Sequence, residues 1–554
     1  MVGLTKLEGA AHRPRGRFPI SGAGENRNPW GRRAARRRAL LGALSGLLAC
    51  YAALAAAELA AAVTRPQASP VVAVGGAAID RTPTAVKDWA IRNFGTSDKL
   101  VLQLGIVAVL ALLAAVLGLV ATRHRRAGSA GVLIFGVIGA LAATTRPDST
   151  SIADAVPSVV GALVGAWLLY ALTGRARTTQ TEEPPEDRTE PGWDRRGFIT
   201  LATAAAVVST AAGLLARASR GTQDENAVGS RNGVKLPVPA SPGKPTPAGA
   251  QLAIPGIGAF TTPNKNFYRV DTALVVPMVD AMKWRLRIHG KGVTRPVTLT
   301  FDDLLRRPLI ERAITLTCVS NEVGGALIGN ARWIGVRLAD VLAENGVRPP
   351  SKGGPADQLV ARSVDGMTIG SPVEDIMDGR DSILALGMNG QPLPFAHGFP
   401  VRMLVPGLYG YVSACKWIED IELTTFADYD AYWVKRSWAQ QAPIKTESRI
   451  DTPKPFVNRK AGTVMVAGVA WAQRRGIEKV EVRVDDGPWE RATLAAEDTR
   501  DTWRQWSYPW QATSGGHRLT VRATDGTGRT QTAQRADPVP DGASGYHSIQ
   551  VEIG

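Results

Sequence analysis

The chain has 554 residues and a formal net charge of +16, too long for one compact core, so two or more structural units are expected. Three cysteines exclude a disulfide framework, and 45% hydrophobic against 21% charged residues argues against a chain embedded in a membrane throughout. The charge alone suggests nucleic acid or an anionic membrane as partner, and its placement along the chain decides between them.

Residues 1–38 are rich in Arg, Gly and Pro and end in Arg32-Arg33 and Arg36-Arg37-Arg38. With no apolar period they read as a disordered basic cytoplasmic arm. Residues 39–216 read as a membrane region. Ala39 to Val63 is Ala/Leu-rich, broken only by Glu58, and long enough for the ~20 residues a spanning helix needs. Similar stretches follow at Leu100 to Thr122, Gly128 to Thr145, Ile152 to Thr173 and Phe198 to Ala216, which predicts about five transmembrane helices.

Basic clusters orient these spans, because Lys and Arg near span ends stay on the cytoplasmic side. The arm, then Arg123, Arg125 and Arg126, then Arg175, Arg177, Arg195 and Arg196 fall on one side. The loop from Arg65 to Lys99 mixes Asp80, Asp88 and Asp98 with Arg81, Lys87 and Arg92 and falls on the other. The expectation is a multi-pass cell-membrane protein with a cytoplasmic N-terminus, an extracytoplasmic C-terminal part, membrane lipid as partner and no nucleic acid. Asp194-Arg195-Arg196-Gly197-Phe198-Ile199 before an Ala/Thr-rich helix resembles a twin-arginine export signal, here internal. That route carries folded proteins and so implies a cofactor acquired before export. Stop-transfer arginines are the alternative. Glu58 inside a span and Asp154 near an end have no evident partner in the sequence, and the spans lack the paired histidines a bound haem needs.

Residues 217–255 carry Pro237, Pro239, Pro242, Pro245 and Pro247, too closely spaced for helix or sheet, and read as a Pro/Gly-rich tether. Trp284 to His289 alternates as a strand, Gly290-Lys-Gly292 as a turn, and Phe301 to Leu305 begins a short amphipathic helix. Ile314-Thr-Leu-Thr-Cys318 alternates into a cysteine and a loop. By spacing alone such a cysteine reads as a buried small hydrophobe.

Its surroundings change that reading. Thr315-Leu-Thr-Cys-Val-Ser-Asn321, Gly329-Asn-Ala-Arg-Trp-Ile-Gly-Val336, Leu338-x-Asp340-Val-Leu342, Met388-Asn-Gly-Gln-Pro-Leu-Pro394, His397-Gly-Phe-Pro-Val-Arg402, Val405-Pro-Gly407 and Lys416-Trp417 closely resemble the sulfite-oxidase-type molybdopterin-dependent oxidoreductases. The likeness spans Gly256 to the C-terminus. It implies an α+β molybdopterin-binding domain at residues 256–428, with Cys318 as catalytic residue and metal ligand to molybdenum on one pterin dithiolene. A soft thiolate suits that metal. It further implies cofactor binding by Tyr268, Arg269, His397, Arg402 and Lys416, since Arg and Lys supply charge and donors to a terminal phosphate.

Departures bear on the substrate. Where sulfite oxidase has an Asn-Arg-Arg run after the cysteine, this chain has Asn321-Glu322-Val323. Met367 stands where an active-site tyrosine is expected, and the Arg-Asn-His entry motif becomes Arg269-Val270-Asp271. Loss of cations disfavours a doubly charged anion, so a small sulfoxide or N-oxide is at least as plausible as sulfite. No haem-attachment or iron–sulfur spacing occurs, and Cys50 and Cys415 read as inert, so electrons are expected to pass to a separate partner, a haem protein or a quinone-linked one.

Residues 429–554 predict an immunoglobulin-like β-sandwich: Thr463 to Ala472, Ile477 to Asp485 and His517 to Thr524 alternate, and Asp486-Gly487 and Asp525-Gly526 mark turns. The Trp503-x-x-Trp506-x-Tyr508-x-Trp510 pattern and the run from Gly516 to Asp525 resemble the dimerisation domain that follows the molybdenum domain in this family. Trp503, Trp506, Tyr508 and Trp510 read as sandwich core, and a homodimer is possible. The expected protein is a membrane-anchored extracytoplasmic oxidoreductase transferring an oxygen atom to or from a small molecule. The alternative is a catalytically degenerate extracellular binding module on the same fold.

Overall fold

A computed structural model describes residues 29–82, 86, 98–146, 149, 151–175 and 195–554. The basic arm up to residue 28, together with Lys87, Asp88, Arg92, Arg177 and Asp194, lies outside the described residues, as does the side chain of Arg195.

The N-terminal region is helical: α1 (Pro29–Val63), α2 (Pro70–Arg81), α3 (Asp98–Arg123), α4 (Arg125–Thr144), α5 (Val156–Arg175) and α6 (Arg195–Gly233). All but α2 are long and apolar enough to cross a membrane. α1 begins at Pro29, so residues 29–38 are not a disordered arm. Ala and Arg propagate helix well and proline is tolerated in the first turn. α2 occupies what the mixed charges suggested was a loop; its opening Pro70 and the apolar run to Ile79 supply a helix start and a face to bury.

Small residues let α1 and α3 cross closely. A Cβ at Gly46 would stand 1.9 Å from Ala114 O, and one at Gly118 2.0 Å from Gly42 O. The two acids that the sequence placed in or near the apolar helices do have partners. Glu58 of α1 accepts from Ser69 and pairs with Arg220 of α6, and Asp154 pairs with Arg65 at 3.1 Å. These partners are 11 to 162 residues away in sequence, which is why no local pattern shows them.

The tether expected at 217–255 is corrected in two respects. α6 continues to Gly233, because 217–233 contains no proline. Residues beyond it lie along the next domain rather than standing free: Ser241 bridges Ile310 at a strand edge, with Ser241 N on Leu309 O at 3.1 Å and Glu311 N on Ser241 O at 2.9 Å. Arg231 donates to Leu393 O and Pro392 O at 2.7 and 2.8 Å, fastening the end of α6 to that domain.

The central domain contains two mixed α+β layers. One sheet runs β2 (Val297–Thr300), β1 (Arg285–Gly290), β10 (Ile418–Thr424), β5 (Gln358–Ser363), β6 (Thr368–Pro372), with β1 parallel to β10 and the other pairs antiparallel. The other runs β3 (Leu309–Thr317), β4 (Ile328–Arg337), β7 (Ile383–Met388), β8 (Gln391–Pro392), with β9 (Arg402–Leu404) also paired to β7. As the alternation predicted, Leu286 and Ile288 of β1 are buried between exposed arginines. The predicted helix at Phe301–Leu305 is closed by a capping box between Thr300 and Asp303. One core of aliphatic and aromatic side chains unites both sheets.

That core extends past residue 428. Trp438, Ala442 and Ile444 belong to it, and Trp433 packs against it, so the boundary moves from 429 to the start of β11 at Glu447. The C-terminal domain is two sheets. The first is β11 (Glu447–Thr452), β13 (Gly462–Trp471), β17 (Arg504–Ala512), β16 (Thr493–Leu494). The second is β12 (Asn458–Arg459), β19 (His547–Ile553), β18 (Gly515–Asp525), β14 (Ile477–Val484), β15 (Trp489–Arg491). Their inner faces share a second core holding Val466, Val480, Trp506, Trp510, Val521 and Val551, as alternating inward residues require. Trp503 departs from the expected pattern: its side chain belongs to the central core, with Nε1 on Phe260 O at 2.9 Å.

Candidate active site

β3 is paired with β4 from Leu309↔Val336 to Thr317↔Ile328. One residue further, Cys318 N donates to Leu327 O at 2.9 Å, so the cysteine is fixed where pairing ends and the chain enters the 319–327 loop. Asn321 closes that loop, its Oδ1 accepting from Leu327 N at 2.8 Å. Cys318 is 9% exposed. Burial pushes its thiol pKa up, while hydrogen bonding with Ser320 and the Lys416 charge favour the thiolate.

Four other predicted residues gather with Cys318. Tyr268 is half-buried, with its hydroxyl placed inward where it feels both Cys318 and Arg402, and loss of solvent there holds the phenol protonated. Its neighbour Phe267 stacks on it at 5.3 Å and meets Trp333 and His397 edge-on at 5.8 and 5.6 Å. His397 and Arg402 are joined by a turn at Gly398, whose φ of +108° suits glycine. A side chain there would also press on Lys416 Cα at 3.1 Å and Arg402 Cβ at 3.2 Å. The turn thereby brings His397, Arg402 and Lys416 together. Burial and the Arg402 charge lower the His397 pKa to about 4, so its neutral ring donates from Nε2 to Asn264 O at 3.0 Å and leaves Nδ1 as an acceptor.

Arg402 and Lys416 are 7% and 6% exposed. Burial lowers the Arg402 pKa to about 10 and that of Lys416 to about 8, with Asp271 opposing the second shift. Lys416 Nζ donates to Asp271 Oδ2 at 2.9 Å and Val270 O at 3.0 Å. Arg269 reaches the same carboxylate at 3.1 Å from a more exposed position at the rim. Asp271, which the sequence marked only as a departure, is thus the anion ordering two of the predicted cations. The signal that could have found it is an acid two residues after Arg269, in the entry motif itself. Met367 sits in a turn, its carbonyl accepting from Ser363 N at 2.9 Å. Two phenols nevertheless interact electrostatically with the cysteine: burial raises the pKa of Tyr268 and of Tyr409, and Cys318 adds to the rise in each.

The donor set fits a phosphate-bearing pterin and a soft metal. Arg402 Nε and Asn321 Nδ2 are buried donors with no partner among the described residues, a costly state unless something accepts from them. Arg402 and Lys416 supply positive charge, and Cys318 supplies sulfur. Beyond the cysteine, Glu322 is exposed. The adjoining cation, Arg449 of β11, is already engaged by Asp451 Oδ1 at 2.7 Å and Gly325 O at 2.7 Å.

Residues 273–433 match the oxidoreductase molybdopterin binding domain family. Mitochondrial sulfite oxidase of Rattus norvegicus is 30% identical over 289 residues, 45% of this chain and 52% of that protein. The uncharacterized oxidoreductase YuiH of Bacillus subtilis (strain 168) is 31% identical over 180 residues, 32% of this chain and 84% of that protein. Among solved structures, the sulfane dehydrogenase SoxCD from Paracoccus pantotrophus aligns with a TM-score of 0.46 and 24% identity, covering 53% of this chain and 81% of that chain. The chain spans about half the length of the mitochondrial sulfite oxidases it matches. With a buried cysteine just past the end of β3 among buried basic side chains, and with these sequence matches, the chain belongs to the sulfite-oxidase-type molybdopterin oxidoreductases, whose cofactor is molybdenum carried on molybdopterin.

Proposed function

We propose that the protein is a membrane-anchored, extracytoplasmic oxidoreductase that moves an oxygen atom to or from a small substrate. The observation carrying this reading is the clustering of Cys318, Tyr268, His397, Arg402 and Lys416, in which buried Arg402 Nε has no acceptor among the described residues. When bound, the molybdenum supplies the two-electron chemistry. Cys318 holds the metal through Sγ, and Arg402 and Lys416 bind the cofactor phosphate. His397 offers Nδ1 to the pterin edge, Tyr268 donates its hydroxyl, and Arg269 closes the rim.

Sulfite is the substrate named for the mitochondrial relatives. Here a less charged oxide, a sulfoxide or N-oxide, is favoured. Glu322 and Val323 stand where sulfite oxidase carries arginines, and Arg449 is neutralised by Asp451. The five long apolar helices support anchoring, and Arg195-Arg196 at the start of α6 support export of a folded, loaded domain. The sandwich serves as an immunoglobulin-like dimerisation module, and electrons pass to a haem protein or a quinone-linked partner.

Metal analysis of the full chain purified from a molybdenum-replete host tests the reading. Stoichiometric molybdenum in the wild type and its loss in Cys318→Ala are expected, followed by turnover in a screen of sulfite, sulfoxides and N-oxides. A well-folded, metal-free wild-type chain would reject it and leave a non-enzymatic binding module.

A further inference from the structure

The helical bundle contains a cavity of about 640 Å³, within the size range of sites that bind small molecules. Its wall is drawn from α1, α2, α3, α4 and α5 and is apolar almost throughout, with Leu54, Val74, Ile106, Leu113, Phe135 and Leu169 among the lining residues. It runs from Gly46 and Leu169, deep in the bundle, to Pro70, Gly139 and Ser158 near the end that faces the central domain. At that end lies an exception to its apolar character. Ser158 is 3% exposed, and its Oγ finds no partner among the described residues. A buried hydroxyl left unpaired is unfavourable, so a ligand with an oxygen at this end and a hydrocarbon body would complete the site.

The same end touches the catalytic domain. A Cβ on Gly75 of α2 would stand 3.2 Å from Ile106 Cδ1 in the cavity wall and 3.0 Å from Leu274 Cδ1 in the central domain. Leu274 lies three residues after Asp271, the partner of Lys416 in the cofactor pocket. Among the described residues, α2 therefore lies between the cavity wall and the segment that orders the cofactor site. Next in sequence to the lining residues Ala57 and Pro70, Glu58 and Ser69 form a polar group with Arg220, and Arg65 pairs with Asp154.

We propose that this cavity binds a lipid-soluble quinone, its carbonyl on Ser158 and its tail along the bundle, and that the chain's own anchor is where electrons leave or enter the cofactor. This rests on the oxidoreductase reading above and names the electron partner for it. The balance is complete: substrate and water give the oxygenated product, two protons and two electrons, and the quinone takes two electrons and two protons to become quinol. The reverse direction runs from quinol to water.

The test uses the molybdenum-loaded full chain in detergent with a decyl-substituted benzoquinone as probe. Saturable binding is expected. Gly105→Trp should weaken it by about tenfold or more (~1.4 kcal/mol), because Gly105 lines the cavity and a Cβ there meets nothing within 4 Å. Ser158→Ala should weaken it several-fold. Leu112→Trp, on an exposed position of the same helix, should leave it unchanged. Adding the reduced probe to the loaded chain should raise a molybdenum(V) resonance signal in the wild type and in Leu112→Trp. In Gly105→Trp the signal should be absent at equal molybdenum content. Equal binding by wild type and Gly105→Trp, or occupancy by phospholipid that the quinone does not displace, overturns the proposal. Quinone binding without molybdenum in the chain would instead reject the enzyme reading alone.

Discussion

Arg402 carries a guanidinium buried to 7% exposure with Nε unpaired, an arrangement that destabilises the fold until an acceptor arrives. Replacing it with an apolar side chain of similar length separates binding from folding. Arg402→Met should leave the cofactor-free chain as stable or ~1–3 kcal/mol more stable, while molybdenum retained on purification falls sharply; thermal melts beside metal analysis decide this. Glu447 offers a second residue-level test. Burial raises its pKa from 4.5 to about 8, and its Oε1 has no partner among the described residues. The folded state therefore holds a proton that the unfolded state releases. This contribution is fully present below pH 4.5 and declines as pH rises toward 8, by on the order of 3–5 kcal/mol. Denaturant unfolding should show that loss, and Glu447→Gln should flatten it. Cys318 and its companions are legible in the sequence because their motifs are contiguous. Asp271 is not, because its role depends on Lys416, 145 residues away.

At the scale of elements, the β3 strand and the loop after Cys318 are braced from the sandwich. Gln473 Nε2 donates to Thr315 O and Thr317 Oγ1 at 3.1 and 3.2 Å, and Trp503 N to Thr315 Oγ1 at 2.8 Å. Removing the indole in Trp503→Ala should destabilise the central domain by ~3–5 kcal/mol, seen as a lower melting temperature with weaker cofactor retention. In the loop, Gly324 has φ +79°, and a Cβ on it would meet the His547 ring at 2.2 Å. Gly324→Ala should therefore lower the melting temperature through both backbone strain and the clash, and His547→Ala in the same chain should recover part of the loss. β3 lies at the edge of its sheet, laddered to β4 on one side, yet both its faces are largely buried, so the alternation that announces it in the sequence does not separate a buried face from an exposed one.

For the whole molecule, half of the +16 charge lies in residues 1–38, where ten Lys and Arg stand against two Glu ahead of the first apolar stretch. If Arg195-Arg196 act as an export signal, exchanging both for lysine leaves the catalytic part inside the cell; protease accessibility on intact cells reads the outcome, and normal exposure rejects the signal. The sequence by itself determined five apolar helices, the order of the domains, the family and the cysteine, because hydrophobic period, composition and contiguous motifs are local properties. Only the tertiary structure decided that Glu58 and Asp154 are paired, that residues 234–255 lie along the central domain, that Trp503 belongs to its core, and that a cavity in the bundle ends beneath Leu274. Each of these depends on residues far apart in the chain meeting in one place, and no local pattern encodes that meeting.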